Sequence, residues 1–413
     1  MTAEPGILLD VSRLVSRLGR GPLTGIDRVE AEWLDHLQGR DHLLLCRVSG
    51  GQLLLPPAAG ALLLGWSAGD LSDLPAPGLL DRLRGRNGAP HRAQAALRRM
   101  AVAATTRRAH GLGDRAAARL GAGAVYLNLG HANWDRRVFA ALSPLHRAVL
   151  IHDTIPLDHP EFTRKGQSQV FRDRFMVAVG MADLVLTVSQ ASADAVALWR
   201  GRLAIARRAP IVATPIGTRL APAGNPPQGL DLTRPFFVTL GTIEPRKNHA
   251  LLLDVWDRLA RDLPPADLPR LFIIGRRGWE NHDTFARLDA LPQDGPVREF
   301  NDLDDATVAA LLERSYGLLM PSRAEGFGLP LTEAAGRGIP VLATPLAAAR
   351  EMLGDYAIWL DPDDPAAWAE TILRMAKESR QRLPQYGNVT WQQHFESVHR
   401  VIDEARRLVY QTG

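Results

Sequence analysis

The sequence predicts an α/β protein built from two doubly wound parallel-sheet domains in tandem, and three observations lead there. At 413 residues the chain exceeds one ordinary core and suits two domains of roughly 200 residues each. Short apolar runs of strand length alternate with amphipathic helical segments, a pattern that calls for a parallel sheet covered on both faces. Between the halves, "TRLAPAGNPPQGLDLTRP" (218–235) carries four prolines and two glycines, the composition of a linker.

Taken in order, "GILLDVS", "AVYLNLG", "RAVLIHD", "DLVLTVS" and "PIVATPIG" read as the strands of the first half. The second half is more regular. "PFFVTLGTI" is a buried strand, and "HALLLDVWDRLARDL" is an amphipathic helix because Leu251, Leu252, Val255, Leu259 and Leu263 recur near helical spacing. Strand "RLFIIG", helix "DDATVAALLERS", strand "GLLMPS" and strand "IPVLAT" follow. The last segment, "WQQHFESVHRVIDEARRLVY", is one amphipathic helix whose pattern does not say which domain it packs on.

Composition excludes several classes. No apolar run approaches the ~20 residues needed to span a bilayer; the richest, His42 to Gly69, is broken by Arg47, Pro56 and Pro57. The start, "MTAEPGILLDVSRLV", lacks the basic region and long apolar core of an export signal, and a cytoplasmic location is the default expectation. Cys46 is the only cysteine, so neither an internal disulfide nor a cysteine-based metal cluster can form. Ten arginines against two aspartates fill Asp81 to Leu120. That segment is either a solvated helical face or mobile loop, or a surface that meets an anionic membrane. Nucleic acid is not expected, since no aromatic interleaving accompanies the charge.

Ligands of open parallel sheets bind beyond the carboxyl ends of the strands. In the second half this rule selects "GTIEPRKNH", "GRRGWEN" and "SRAEGFG", which would bring Arg246, Lys247, Arg276, Glu325 and Glu333 to one crevice. Only three lysines stand among the 49 basic residues, so Lys247 survives a strong arginine bias and suits a need for a compact charge. Glu325 lies in a loop, Pro330 fits the first turn of a helix, and Glu333 lies about one turn inside it. Gly326 and Gly328 leave backbone amides open to close approach. Two carboxylates for hydroxyls and an arginine–lysine pair for an anion match a ligand with two polyhydroxylated ends joined by a diphosphate. Taken singly, the Arg-Lys pair also reads as a solvated helix start, and the glutamates as surface charge or an acid/base pair.

"EPRKN" followed by "PSRAEGFGLPLTEAAGRGIPVLAT" resembles the donor-site motifs of family 4 retaining glycosyltransferases, also called group 1 glycosyltransferases, with the glutamate-seven-residues-glutamate motif matched at Glu325 and Glu333. The resemblance is strong over Pro235 to Asp364 and weaker before it. It implies the GT-B architecture, two Rossmann-like domains facing each other across a cleft. The acceptor-side domain would span 1–217, the linker 218–235 and the nucleotide-sugar domain 236–385, with a helix in 386–413 crossing back onto the first domain. It further implies that Arg246 and Lys247 hold the diphosphate, that Glu333 binds the ribose, and that Glu325 with Gly326, Phe327, Gly328 and Leu329 surrounds the donor sugar. Arg276 joins the donor-binding set.

In the first half, Thr24-Gly25-Ile26-Asp27 is similar to the family's glycine-bearing loop, matched at Gly25 and Ile26. Asp27 departs from it and would repel a diphosphate unless it turns toward Arg28 or an acceptor. "LIHDTIPLDHPEF" resembles the His-Asp-x-x-Pro segment of polysaccharide-assembly members, which places His152 near the donor sugar and Asp153 on the acceptor side. The same residues also read as a strand-end turn with an Asx cap on Asp153, or as a metal cluster of His152, Asp153, Asp158 and His159; the family generally works without a metal. "YLNLGHANW" offers His131, Asn133 and Trp134 to an acceptor, although Trp134 equally suits the interior. "DPDD" (361–364) looks like a metal-binding motif but is better explained as a helix cap.

The expected reaction moves a mannose- or glucose-type hexose from a GDP- or UDP-hexose, a donor substrate rather than a permanently bound cofactor, to a glycan or lipid-linked acceptor of bacterial polysaccharide or lipopolysaccharide assembly. Alternatives are an epimerase or phosphorylase on the same architecture, or a non-catalytic sugar-nucleotide-binding subunit.

Overall fold

The structure, a computed structural model, describes residues 5–76 and 87–412. Arg82, Arg84 and Arg86 of the arginine-rich segment lie outside the described residues.

The first sheet has eight strands in the order β4-β3-β2-β1-β5-β6-β7-β8. They are β1 (Ile7–Asp10), β2 (His42–Val48), β3 (Gly51–Leu55), β4 (Ala103–Thr106), β5 (Val125–Asn128), β6 (His146–Ile151), β7 (Leu184–Thr187) and β8 (Ile211–Ala213). From β2 to β8 every pairing is parallel, and β3 and β4 add antiparallel at one edge. Sequence reading found β1, β5, β6, β7 and β8 but took the run containing β2 and β3 only as too broken to span a bilayer. The available signal was two apolar runs separated by Ser49-Gly50, a two-residue hairpin, with Val48 opposite Gly51. One core face carries the helices Gly25–His36 and Ala58–Ser67, and the other carries Gln167–Met181 and Gln190–Arg202.

The second sheet has six parallel strands in the order β11-β10-β9-β12-β13-β14. These are β9 (Phe236–Leu240), β10 (Arg270–Ile274), β11 (Val297–Phe300), β12 (Gly317–Met320), β13 (Val341–Ala343) and β14 (Ile358–Trp359). Helix His249–Asp262 buries Leu251, Leu252, Val255 and Leu259, the residues whose spacing announced it. Asp364 accepts from the Ala366 and Ala367 amides at 3.0 Å each, so the "DPDD" run is a helix cap.

The final helix, Trp391–Thr412, sends Phe395, Val398, Val401, Ile402 and Ala405 into the core of the first sheet. The Trp33 indole N–H donates to His394 Nε2 (3.0 Å), and His394 Nδ1 lies 3.0 Å from the Pro215 carbonyl. The chain therefore crosses between sheets twice at one place, where Gly217 leaves no room for a Cβ against the Trp391 backbone. Among the described arginines of the basic segment, Arg92, Arg107 and Arg115 donate to carbonyls of their own domain. No helix of the described residues is long and apolar enough to cross a membrane.

Candidate active site

In the second sheet, β9 leads outward to β10 on one side while β12 lies on the other, so the carboxyl ends of β9 and β12 flank the topological switch point, where open sheets bind ligands. The loop after β9 ends in a single helical turn, Pro245–Lys247. Gly241 approaches Lys247 so closely that a Cβ there would sit 3.2 Å from Lys247 Cε. The loop after β12 supplies Glu325. Its carboxylate accepts from Arg246 Nη1 at 2.8 Å and from Lys247 Nζ at 2.5 Å. Arg246 is held further by its Nε on Glu244 (2.7 Å) and by a second bond from Nη1 to the Ala324 carbonyl (2.9 Å).

The electrostatics follow from burial. The Glu325 side chain is 7% exposed. Burial alone would push its carboxyl up, but Lys247 and Arg246 outweigh that and bring it down to about 2. For Lys247 burial wins, and its ammonium is lowered despite Glu325. The site is thus a desolvated carboxylate clamped between two cations.

Across from it stands the end of β6. His152 is 6% exposed, and its Nε2 lies 2.7 Å from the Leu129 carbonyl. A carbonyl only accepts, so Nε2 carries the proton and Nδ1 is the acceptor. Burial lowers the imidazole to about 4, leaving it neutral at pH 7. His131, at φ 56°, accepts from the His152 amide (2.9 Å) and is likewise held neutral by burial. Asp153 Oδ1 accepts from the Ile155 amide (3.1 Å), the Asx cap, while burial raises its carboxyl against the pull of Arg246.

Asn133 and Trp134 do not face the cleft. Asn133, 2% exposed, donates to Asp10 Oδ2 (2.8 Å) and pairs with Gln52. Trp134, 4% exposed, packs in the core and donates to Asn128 (3.0 Å), so no sugar ring can stack on its face. The expectation that these two side chains serve an acceptor is corrected accordingly: they brace the loop that carries His131.

The domains meet along the crevice. Phe327 and Leu329 pack into the apolar core of the first sheet, and a Cβ on Gly25 would lie 3.5 Å from Leu329 Cδ1. Gly328 takes φ 93° to start the helix Leu329–Gly336. Glu333, on that helix, accepts from Arg28 Nη1 of the first domain (2.9 Å), while Arg28 Nη2 donates to Asp305 (2.7 Å). Burial raises the Glu333 carboxyl, and Arg28 only partly opposes this. Arg276 is not gathered with Arg246 and Lys247; it binds Asp302 and the Arg20 carbonyl at the rim. Asp27 takes neither of the two ways open to it, toward Arg28 or toward an acceptor. It is fully buried, closes the capping box of its own helix with Thr24, and binds Arg13 (2.7 Å) and Arg17 (3.2 Å). Its charge is neutralised there, so the departure from the family's glycine loop puts no bare carboxylate in the cleft.

Several residues at this site escaped sequence reading. Glu244 stood inside the quoted "EPRKN" without a role, Arg28 was named only as a partner for Asp27, and Asp305, Ser189, Ser192 and Glu351 only gain meaning once the domains are apposed. Among the described residues no group of three or more His, Cys, Asp or Glu side chains could hold a metal ion. Asp158 binds Thr154 and the Trp199 indole instead, and His159 binds Glu161.

The neutral histidines carry a stability prediction. His152 and His394 protonate near 4 in the fold but near 6.5 when unfolded, so between those values the unfolded chain binds more protons. Their contribution to stability is expected to fall as pH drops through that window. The buried carboxyls of Asp10, Glu30, Asp153, Glu244 and Glu333, raised by burial, act in the opposite sense. The effect is therefore read as a loss of thermal midpoint between pH 7 and pH 4.5 that is smaller in His394→Asn than in the wild type. An equal loss in the two proteins contradicts it.

Comparison with known proteins agrees with the geometry. Residues 225–389 match the model for "Glycosyl transferases group 1". The chain is 27% identical over 261 residues to the serotype-specific mannosyltransferase WbdA of Escherichia coli, covering 59% of this chain and 31% of that protein. It is 31% identical over 143 residues to the O-antigen chain mannosyltransferase B of Escherichia coli, 35% of this chain and 37% of that one. It thus spans about a third of the length of these curated relatives. Among solved structures, sucrose-phosphate synthase from Thermosynechococcus elongatus superposes with a TM-score of 0.60 at 14% identity, covering 99% of this chain and 100% of that one. Anabaena HepE, solved with UDP and glucose, superposes with a TM-score of 0.58 at 15% identity over 99% of both chains. On these grounds residues 225–389 belong to the group 1 glycosyltransferases, and the chain as a whole has the GT-B architecture of two facing parallel-sheet domains.

Proposed function

We propose that this protein is a retaining glycosyltransferase that moves a mannose- or glucose-type hexose from a nucleotide diphosphate sugar to a glycan or lipid-linked acceptor in bacterial polysaccharide or lipopolysaccharide assembly. The observation that carries the reading is the Arg246–Lys247–Glu325 cluster at the β9/β12 switch point. A buried ion cluster contributes little stability compared with apolar packing of the same volume. Its value lies in binding. An arriving diphosphate takes over the two cations and frees Glu325 to hydrogen-bond the donor sugar. Glu333, exchanged from Arg28, binds the ribose. Mannosyltransferases among the relatives and UDP with glucose in the HepE structure support a hexose nucleotide as donor.

Transfer passes through an oxocarbenium-like state while negative charge grows on the departing diphosphate. Arg246 and Lys247 stabilise that charge from fixed positions. The leaving phosphate oxygen takes the acceptor's proton on the same face of the sugar, so the product keeps the donor's α configuration. His152, neutral, accepts through Nδ1 a hydrogen bond from a sugar hydroxyl rather than acting as a cation. The domain carrying β1 to β8 holds the acceptor, and the arginine-rich segment Asp81 to Leu120, of which 81–86 lie outside the described residues, is proposed to lie nearest a membrane bearing it.

The test is incubation with GDP-mannose, UDP-glucose, UDP-galactose and UDP-N-acetylglucosamine together with lipid-linked acceptors, and NMR of any product. An α-linked glycoside from one donor is expected. A β-linked product contradicts the same-face mechanism, and isomerised donor without an acceptor product contradicts transfer.

A further inference from the structure

The two halves of the proposed centre, the Glu325-to-Gly328 loop and the His152–Asp153 strand end, belong to different domains. Their relative register decides whether donor sugar and acceptor hydroxyl meet. One short segment touches both. Ser189 and Ser192, 0% and 5% exposed, open the helix Gln190–Arg202. Ser189 Oγ lies 3.1 Å from the Gly326 carbonyl oxygen, and Ser192 Oγ lies 3.2 Å from the His152 carbonyl oxygen and 3.3 Å from that of Gly326. Each hydroxyl has one proton. The arrangement that serves both carbonyls has Ser189 donating to Gly326 and Ser192 donating to His152, while Ser189 Oγ accepts from the Ser192 amide (3.0 Å).

The same helix start is fastened to the second domain by a further side chain. Glu351 accepts from the Gln190 amide (2.7 Å) and the Ala191 amide (3.0 Å), one with each carboxylate oxygen. At the point of contact the backbones are as close as they can be, since a Cβ on Gly326 would fall 2.2 Å from the His152 oxygen. Neither the two serines nor Glu351 has a role in the chemistry described above.

We propose that Ser189 and Ser192 are positioning residues for sugar transfer: from one helix start they hold the carbonyls of Gly326 and His152 and so set the register of the donor-sugar loop against the acceptor-side strand end. The inference rests on the glycosyltransferase reading only for its kinetic consequence. Misplacement of reacting groups by about 1 Å costs on the order of 100-fold in rate. The loss belongs to the closed, reacting arrangement rather than to donor binding.

Two measurements on the full chain test it. In hydrogen exchange, Ser189→Ala/Ser192→Ala is expected to accelerate exchange in 324–328 and in 152–155 together, with the thermal midpoint little changed. Acceleration confined to 189–193 overturns the proposal. In steady-state kinetics with the active donor, Ser192→Ala is expected to lower kcat at least tenfold with the donor KM within twofold, and to divert a larger share of donor to hydrolysis. Ser192→Thr, which keeps the hydroxyl, restores most of kcat. An unchanged kcat and hydrolysis share in Ser192→Ala, or a loss that Ser192→Thr does not recover, overturns it. If the wild-type protein turns over no sugar nucleotide, the functional reading falls, and the exchange experiment still decides the registration.

Discussion

Lys247→Met lowers the rate of sugar transfer by about 100- to 1,000-fold, the usual consequence of removing one fixed charge donor from a developing anion. The fold is expected to survive. Lys247 is 7% exposed, and methionine replaces its apolar stem, while Glu325 keeps Arg246 as partner at 2.8 Å. The mirror-image substitution is less clean. Glu325→Ala leaves Arg246 and Lys247 buried without their shared counter-ion, and breaking a buried pair in this way costs about 3–5 kcal/mol. Glu325→Gln removes the same charge but keeps the shape and an acceptor oxygen for Arg246 and Lys247, so it disturbs the fold less than alanine. Transfer at least about tenfold slower, with a thermal midpoint between those of the wild type and Glu325→Ala, is expected for Glu325→Gln. Wild-type rates in both Lys247→Met and Glu325→Gln contradict the assignment of the cluster.

Gly326→Ala is expected to lower transfer by about 100-fold or more. Its Cβ would lie 2.2 Å from the His152 oxygen and 2.9 Å from Asp153 Cβ, a backbone and a side-chain stem that cannot swing aside. The domains have to part at the point where donor sugar and acceptor should meet, and a shift of about 1 Å there costs on the order of 100-fold. Each domain keeps its own sheet, so circular dichroism is expected to stay near wild type while kcat/KM falls. A Gly326→Ala protein with normal kcat/KM shows that the contact seen here is not the reacting one.

How much of this was legible in the sequence depends on distance along the chain. In the second sheet the central strands β9, β10, β12 and β13 were readable because they are buried and bounded by helix signals, whereas the edge strands β11 and β14, only part-buried and short, were missed. In the first domain, β2 and β3 were hidden because their leucine runs merge with the helix Ala58–Ser67 into one apolar stretch, where periodicity cannot separate strand from helix. Strand-end geometry was enough to bring Arg246, Lys247 and Glu325 together, since both loops leave adjacent parallel strands. It failed for Arg276, which turns to Asp302 and Arg20 at the rim, and for Trp134 and Asn133, whose polar atoms find partners in the interior. Asp27 was anticipated as a problem, but its solution, Arg13 and Arg17, comes from the preceding helix. Arg28 with Glu333, Ser192 with Gly326 and Glu351 with Gln190 each join residues far apart in sequence and in different domains. Only the apposition of the two sheets reveals such pairs.

Whether Arg246 and Lys247 hold a nucleotide diphosphate at the β9/β12 crevice is tested most directly by calorimetric titration of GDP and UDP into the wild-type protein and into Lys247→Met. One of the two diphosphates is expected to bind the wild-type protein, and to bind Lys247→Met at least about tenfold more weakly because a charge-assisted contact is lost. The matching nucleoside, which lacks the phosphates, should bind both proteins alike. Binding of neither diphosphate to the wild-type protein, or equal affinity for both proteins, contradicts the placement of the donor.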